Sequence, residues 1–270
     1  YTILMSLIFF GKGLRDVSAS LSLIKLPAYL AYCDIRQRYR RSSLGPFWIT
    51  ISMGITIACI GVIFGNLFKS PMEEFFPFLT IGLILWGFIS TVLTESTTVF
   101  PSSEGIIRQL PIPLFSHILR MIIRNLNILA HNMFVVPVVY ICVGKGVNWD
   151  ILFFIPGFVL LLINLGWMSL FLAIVCARFR DLTQIMASVL QIFFYVTPII
   201  WMPNLLPARS AMMLLEPNPF YQLLTIVRDP LLGCPPSISS YVYTLTLAFL
   251  GWIITIVFFN KYRDRIAYWL

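Results

Sequence analysis

Charge is the scarcest feature of this sequence. Only 11% of its 270 residues are Asp, Glu, Lys or Arg, where a water-soluble domain carries about a quarter. That shortage excludes a solvated globular surface. A mean hydropathy of +0.89 makes lipid the solvent for most of the chain. Acids are the rarer sign, 11 against 19 Lys and Arg, and only Glu95 falls inside an apolar run, near its end. Ion-coupled carriers display acids near the membrane midplane, so the residues for a self-powered carrier are missing. No G-x-x-x-x-G-K-[ST] phosphate loop occurs; Gly11-Lys12-Gly13 lacks both the spacing and the hydroxyl. H-E-x-x-H and G-x-S-x-G are also missing. Histidine is limited to His117 and His131, the latter set between Asn127 and Asn132 as a hydrogen-bonded packing residue. The cysteines Cys33, Cys59, Cys142, Cys176 and Cys234 show no metal spacing and read as small core residues. A membrane glycosyltransferase or protease would find no acid pair or Ser-His set here.

What is present is a series of apolar runs, over residues 46–68, 75–99, 118–143, 151–176, 184–202 and 241–260. Each is close to the ~20 residues that cross ~30 Å of hydrocarbon. The third is the most polar, with Arg120, Arg124, Asn125, Asn127, His131 and Asn132 in its first half. Six spans put both termini on one side. That side then holds 15 of the 19 Lys and Arg, leaving Lys69, Lys145, Arg209 and Arg228 opposite. The positive-inside bias therefore places both termini in the cytoplasm. The net charge of +8 belongs to this pattern and not to nucleic-acid binding. The reading is an all-α integral membrane protein with a cytoplasmic N-terminal segment over 1–45 and a six-span domain over 46–270.

The segments outside the spans have their own character. Residues 3–10 form a short apolar run without the basic n-region or cleavage site of a signal peptide. Leu14, Val17, Leu21, Ile24, Ala28, Ala31 and Ile35 recur at steps of three and four, one stripe of an amphipathic interfacial helix that breaks near Pro27. It ends in a cluster of Arg36, Arg38, Arg40 and Arg41, which holds the first span at the anionic cytoplasmic surface. The loop over 101–117 carries Glu104, Arg108, Pro111 and Pro113, and predicts a short protruding helix. The next loop on that side is only Arg178, Phe179, Arg180 and Asp181. Residues 203–239 hold seven of the 17 prolines and predict two short helices, over 208–215 and 219–232, that dip into the membrane and return. Asn218-Pro219 reads as an N-cap followed by proline at the first helical position, leading into Phe220 and Tyr221.

Aromatic surface is the most distinctive content of the spans. Ser188, Gln191, Tyr195, Pro198 and Met202 share one stripe, with Phe193, Phe194 and Trp201 beside it; Trp86 and Phe88 stand in the second span. Rings interspersed with hydroxyls and amides suit sugars, which present an apolar face and polar edges. Gly61-x-x-x-Gly65 permits a close helix contact in the first span.

The order of "RYRRSSLGPFW", "RFRDL" (Arg178–Leu182), "FYVTPIIW" (Phe194–Trp201), "EPNPF" (Glu216–Phe220) and "RDPLLG" (Arg228–Gly233) resembles the membrane subunit of bacterial ABC-2-type polysaccharide exporters. The likeness covers nearly the whole chain. It is nearest to exporters of lipid-linked O-antigen, then to those of capsule polysaccharide or teichoic acid; an ABC-2 exporter of a drug or small lipid is the alternative. The resemblance implies an ABC-2 permease fold in the bacterial inner membrane, acting as a homodimer powered by two separate ATPase subunits. Those partners bind the ATP and Mg, and this chain holds no cofactor. It implies a substrate channel lined by Trp86, Phe88, Ser188, Gln191, Phe194, Tyr195 and Trp201. It implies ATPase coupling through Glu104, Arg108, Arg178, Arg180 and Asp181, and a re-entrant segment containing Asn218, Pro219, Phe220 and Tyr221. Arg36, Arg38, Arg40 and Arg41 are then candidates for gripping the pyrophosphate or headgroup of the lipid carrier.

Overall fold

A computed structural model of the chain describes residues 2–40, 47–146 and 148–270. Among these every regular element is helical. In order they are α1 (Thr2–Ser22), α2 (Lys25–Tyr39), α3 (Phe47–Phe68), α4 (Met72–Ser96), α5 (Val99–Ser102), α6 (Glu104–Gln109), α7 (Phe115–Met133), α8 (Val135–Val143), α9 (Phe154–Arg178), α10 (Leu182–Val196), α11 (Ala208–Leu215), α12 (Pro219–Leu232) and α13 (Ile238–Trp269). Short 3-10 turns cover Trp149–Phe153 and Pro203–Leu205.

Among the described residues five helical stretches are long and apolar enough to cross a membrane: α3, α4, α7 with α8, Trp149–Arg178 and α13. The sixth expected span differs. Its helix, α10, has 15 residues and a length of about 22 Å, short of the ~30 Å of hydrocarbon. The third span is split because Pro137 in the first turn of α8 removes an N–H and its ring blocks the preceding turn, so α7 stops at Met133. The interfacial helix breaks at Leu23–Ile24, and Pro27 lies in the first turn of α2, where proline is tolerated.

The centre of the bundle is α4, apolar all round and buried over nearly its whole length from Phe75 to Ile89. Glycines set how close its neighbours come. A Cβ at Gly61 would lie 2.7 Å from the Phe76 ring and one at Gly65 2.8 Å from Met72 Sδ, so the small-residue step of α3 is spent against α4. Helices α9 and α13 pair through two Gly-Trp dipeptides. Trp252 covers Gly166 and Trp167 covers Gly251, where a Cβ would come within 2.2 Å of the ring. Fully buried Asn164 donates to the Thr244 carbonyl across this seam at 3.2 Å, and Trp252 Nε1 donates to the Ile163 carbonyl at 3.1 Å. Closer still, a Cβ at Gly157 of α9 would sit 2.1 Å from the Ile226 carbonyl oxygen of α12.

One sequence expectation is corrected here. Only Cys176 is a core cysteine; Cys59, Cys142 and Cys234 are exposed and Cys33 is half-buried. An apolar residue need not be inside when its solvent is apolar. For the same reason Leu14 and Leu21 of the α1 stripe are exposed. The face of α1 that packs inward is polar instead, with Gly13, Asp16 and Ser20 buried.

Candidate functional site

The functional residues fall at the two ends of the bundle. One end gathers α1, the C-termini of α4, α9 and α13, and the N-terminus of α7. There Asp16, with no side-chain exposure, accepts from the backbone N–H of Leu114 at 3.2 Å and Phe115 at 3.0 Å. It also accepts from Arg263 Nε at 2.9 Å. One carboxylate thus ties α1 and α13 to the point where the 110–113 loop turns into α7. Lys12 and Asp264 pair nearby at 3.1 Å, and the Arg178 guanidinium lies 5.5 Å from the Trp269 ring.

A second ionic group lies on the same end, between α2, α4 and α7. Arg120 donates from Nε to Asp34 at 2.8 Å and also pairs through Nη2. Arg124 reaches Asp34 at 3.4 Å and Glu95 at 2.8 Å, and Asn125 donates to Glu95 at 2.6 Å. The polar first half of the third span is explained by this network: its arginines are paired and only about a fifth exposed. Beside them Glu95, Thr98, Ser102, Ser103, His117, Arg120 and Arg124 wall a cavity of about 310 Å³.

The predicted arginine cluster is on α2. Arg36, Arg38 and Arg40 are exposed, and Arg41 lies outside the described residues. In α6, Glu104 and Arg108 pair with one another at 2.9 Å; Arg108 is exposed and Glu104 half-buried. Arg178, Arg180 and Asp181 are exposed in the turn between α9 and α10.

At the opposite end, α10 unwinds after Val196. Thr197, Pro198 and Ile199 continue as non-helical backbone, yet all three are buried, as backbone at membrane depth must be if it is not helical. Three devices hold it. Arg228 of α12, 1% exposed, donates from Nη1 to the Pro198 carbonyl at 2.7 Å and lies 4.1 Å from the centre of the Phe78 ring. Asn218 donates to Thr197 Oγ1 at 2.9 Å, and its own Oδ1 caps α12 by accepting from Phe220 and Tyr221 N–H. Gly82 admits the segment: a Cβ there would be 3.3 Å from the Ile199 carbonyl oxygen. Helices α11 and α12 have the bounds the sequence predicts. α12 is buried over most of its length, Phe220 and Gln222–Arg228 included.

The predicted aromatic residues separate into two groups. Ser188, Gln191 and Tyr195 are exposed on α10, whose only buried residue is Leu190; Trp201 donates to the Tyr195 carbonyl at 3.1 Å. Trp86 and Phe88 are buried instead. Trp86 packs on half-buried Phe194 at 6.0 Å and on Phe220 edge-on at 5.6 Å, so these rings join α4, α10 and α12. Sequence reasoning missed Asp16, Asp34 and the buried role of Arg228, whose partners are 86 or more residues away or are backbone carbonyls. Among the described residues no three His, Cys, Asp or Glu side chains come together.

The sequence has relatives. The family described as "ABC-2 type transporter" matches residues 29–232. The chain is similar to an O-antigen export system permease protein RfbA of Klebsiella pneumoniae, 24% identical over 87% of this chain and 90% of that protein. It is also similar to the protein of the same name in Myxococcus xanthus, 22% identical over 71% and 74%.

Proposed function

Because the chain belongs to the ABC-2 type transporter family, we propose that it is the permease subunit of a polysaccharide exporter, driven by a separate ABC ATPase. The names of its similar proteins, O-antigen export permeases matched over most of their length, favour a bacterial cell-envelope glycan as cargo. In this reading the glycan is carried on a lipid and crosses the inner membrane between two copies of the chain. Both termini and the α6 loop face the cytoplasm, as the distribution of Lys and Arg favours. ATP and Mg belong to the ATPase subunits, which meet Glu104, Arg108 and the 178–181 turn.

The single observation behind the two-copy channel is how little of α3 and α10 the chain itself covers. In α3 only Ile57, Gly61 and Gly65 are buried, and α10 buries Leu190 alone. The open face of α10 carries Ser188, Gln191 and Tyr195, polar groups that a sugar chain engages and hydrocarbon does not. Trp86 and Phe194 back this face from within, and the packed α12 supports its outer end. Arg36, Arg38 and Arg40 face anionic headgroups at the entrance.

The test is export itself. Cells lacking the protein should accumulate lipid-linked glycan on the cytoplasmic face, and complementation should restore its appearance outside. A Val62→Cys variant without the native cysteines should cross-link to itself in membranes, since Val62 is 52% exposed on the open face of α3. Normal surface glycan in the deletion strain would remove the cargo assignment; failure of cross-linkers at every exposed α3 position would remove the paired channel.

A further inference from the structure

We propose that the cavity between α4, α5 and α7 is a binding site for a phosphate ester at the membrane surface, gripped by Arg120 and Arg124, and that Asp34 of α2 is the intramolecular group such a phosphate displaces. The cavity, about 310 Å³, has room for a phosphate or diphosphate group, since one water takes about 30 Å³. Its wall is largely polar in a chain that is otherwise apolar, with Thr98, Ser102 and Ser103 lining it beside the two arginines. Those guanidiniums stand one helical turn apart on the same face of α7. Basic pockets between spans at this depth take lipid headgroups, and the arginine fork matches phosphate oxygens in pairs.

Donors are left over. Arg120 spends Nε and Nη2 on Asp34, so its Nη1 has no acceptor among the described residues. Arg124 Nε is buried with no partner among the described residues; so is Nε2 of His117, a residue 3% exposed, which donates in one of the two neutral tautomers and accepts in the other. Leaving buried N–H groups unpaired is costly, and a multi-oxygen acceptor resolves it where the carboxylates have not.

Asp34 and Glu95 now neutralise the two arginines. A phosphate entering beside them meets like charge, which is relieved if one carboxylate withdraws. Glu95 is fixed in α4, the most buried helix. Asp34 is on α2, which packs along α7 but buries only Pro27 and Ala31; its bonds to Arg120 and Arg124 are the polar ties between the two helices among the described residues. A ligand that binds better when α2 has moved shifts α2 by that difference in affinity. Ser102 and Ser103 lead directly into α6, so the site adjoins both the basic helix and the protruding loop.

The experiment uses the full chain in phosphatidylcholine nanodiscs, with three probes: farnesyl diphosphate, phosphatidylglycerol and inorganic pyrophosphate. Native mass spectrometry reads binding, and a spin label at exposed Tyr32 reads α2. At least one probe should bind, with affinity reduced about tenfold or more in Arg120→Gln/Arg124→Gln. Asp34→Asn should bind several-fold more tightly, because the competing charge is gone. Binding by farnesyl diphosphate alone assigns an isoprenoid carrier, by phosphatidylglycerol a bulk lipid, and by all three a free phosphate site. Arg265→Gln, at an exposed arginine of α13 outside the cavity wall, should leave the affinity unchanged. No binding by any probe, or an equal loss in Arg265→Gln, overturns the site. If the double glutamine variant does not fold, Asp34→Asn decides alone: affinity equal to or weaker than wild type overturns it. Binding is read without transport, so its failure leaves the export reading standing.

Discussion

Replacing Asp16 with alanine should release the loop that carries α6. The carboxylate is fully buried and holds the amides of Leu114 and Phe115, where the chain enters α7, at 3.2 and 3.0 Å, together with Arg263. Alanine leaves both amides without an acceptor inside the protein, at about 1–3 kcal/mol each. Arg263 is one-third exposed, so it rehydrates, and its share is discounted as for a surface pair. The expected loss is about 3–5 kcal/mol, in the range for removing one partner of a buried ionic contact. In a chain of this size that is a fall of about 6 °C or more in melting temperature. Asp16→Asn keeps one amide acceptor and should lose about half as much. Arg263→Gln should lose least, since the two amides keep their carboxylate. The assay is thermal denaturation of the purified protein in one detergent, followed by loss of the monodisperse peak, with limited proteolysis of the 110–113 loop alongside. An Asp16→Ala melting temperature within 2 °C of wild type, or a ranking in which Arg263→Gln is worst, would refute the reasoning.

Arg228→Met should cost about 1–3 kcal/mol, because the Pro198 carbonyl loses its donor while the cost of burying a cation is removed. Arg228→Ala adds a cavity against Phe78 and should lose about 2 kcal/mol more, visible as a lower melting temperature than the methionine variant. Gly157→Ala forces a Cβ onto the Ile226 backbone, which has no rotamer to move away, and should cost at least the 1–3 kcal/mol typical of overpacking; unchanged expression and stability would contradict the close approach. Gly251→Ala should destabilise through the Trp167 ring, and a Gly251→Ala/Trp167→Leu double variant should recover part of the loss, a coupling measured by the double-mutant cycle.

Elements whose determinants are local were legible in the sequence. Asn218-Pro219 sets the start of α12 through a cap and a fixed φ, and Gly233, with φ of +82°, ends it; both signals lie within the segment. The apolar runs announced their helices in the same way. What was not legible depends on partners far along the chain. Arg120 and Arg124 look like misplaced charge until Asp34 and Glu95 arrive, 86 and 29 residues away. Trp86 and Phe88 looked like a surface for sugar because aromatic content does not say which side of a helix is covered; α12 covers Trp86 and α9 faces Phe88. One signal was available and went unread. The repeated Gly-Trp pairs at 166–167 and 251–252 mark a seam where each helix offers a notch and a ring to the other.

The same contrast governs how α10 is held. A helix of 15 residues is shorter than the hydrocarbon is thick, and the backbone that continues it over 197–199 is buried and non-helical, where each freed carbonyl left unpaired costs several kcal/mol. Burial of 197–199 alone would make that worse; donors must come from elsewhere. Arg228 of α12 supplies one to the Pro198 carbonyl, and Asn218, the N-cap of α12, fixes the Thr197 side chain through its hydroxyl oxygen. Along its length, by contrast, α10 contributes one buried residue, Leu190, to the core. The helix is therefore fixed at its unwound end and weakly held along its shaft. Adding apolar residues to extend α10 would not strengthen this arrangement, because the end is held by polar bonds to the returning helix. A cation at the centre of that knot is retained although charge inside a membrane is expensive. Its guanidinium supplies a donor to the Pro198 carbonyl and a charge for the Phe78 ring, and an apolar side chain of the same size supplies neither.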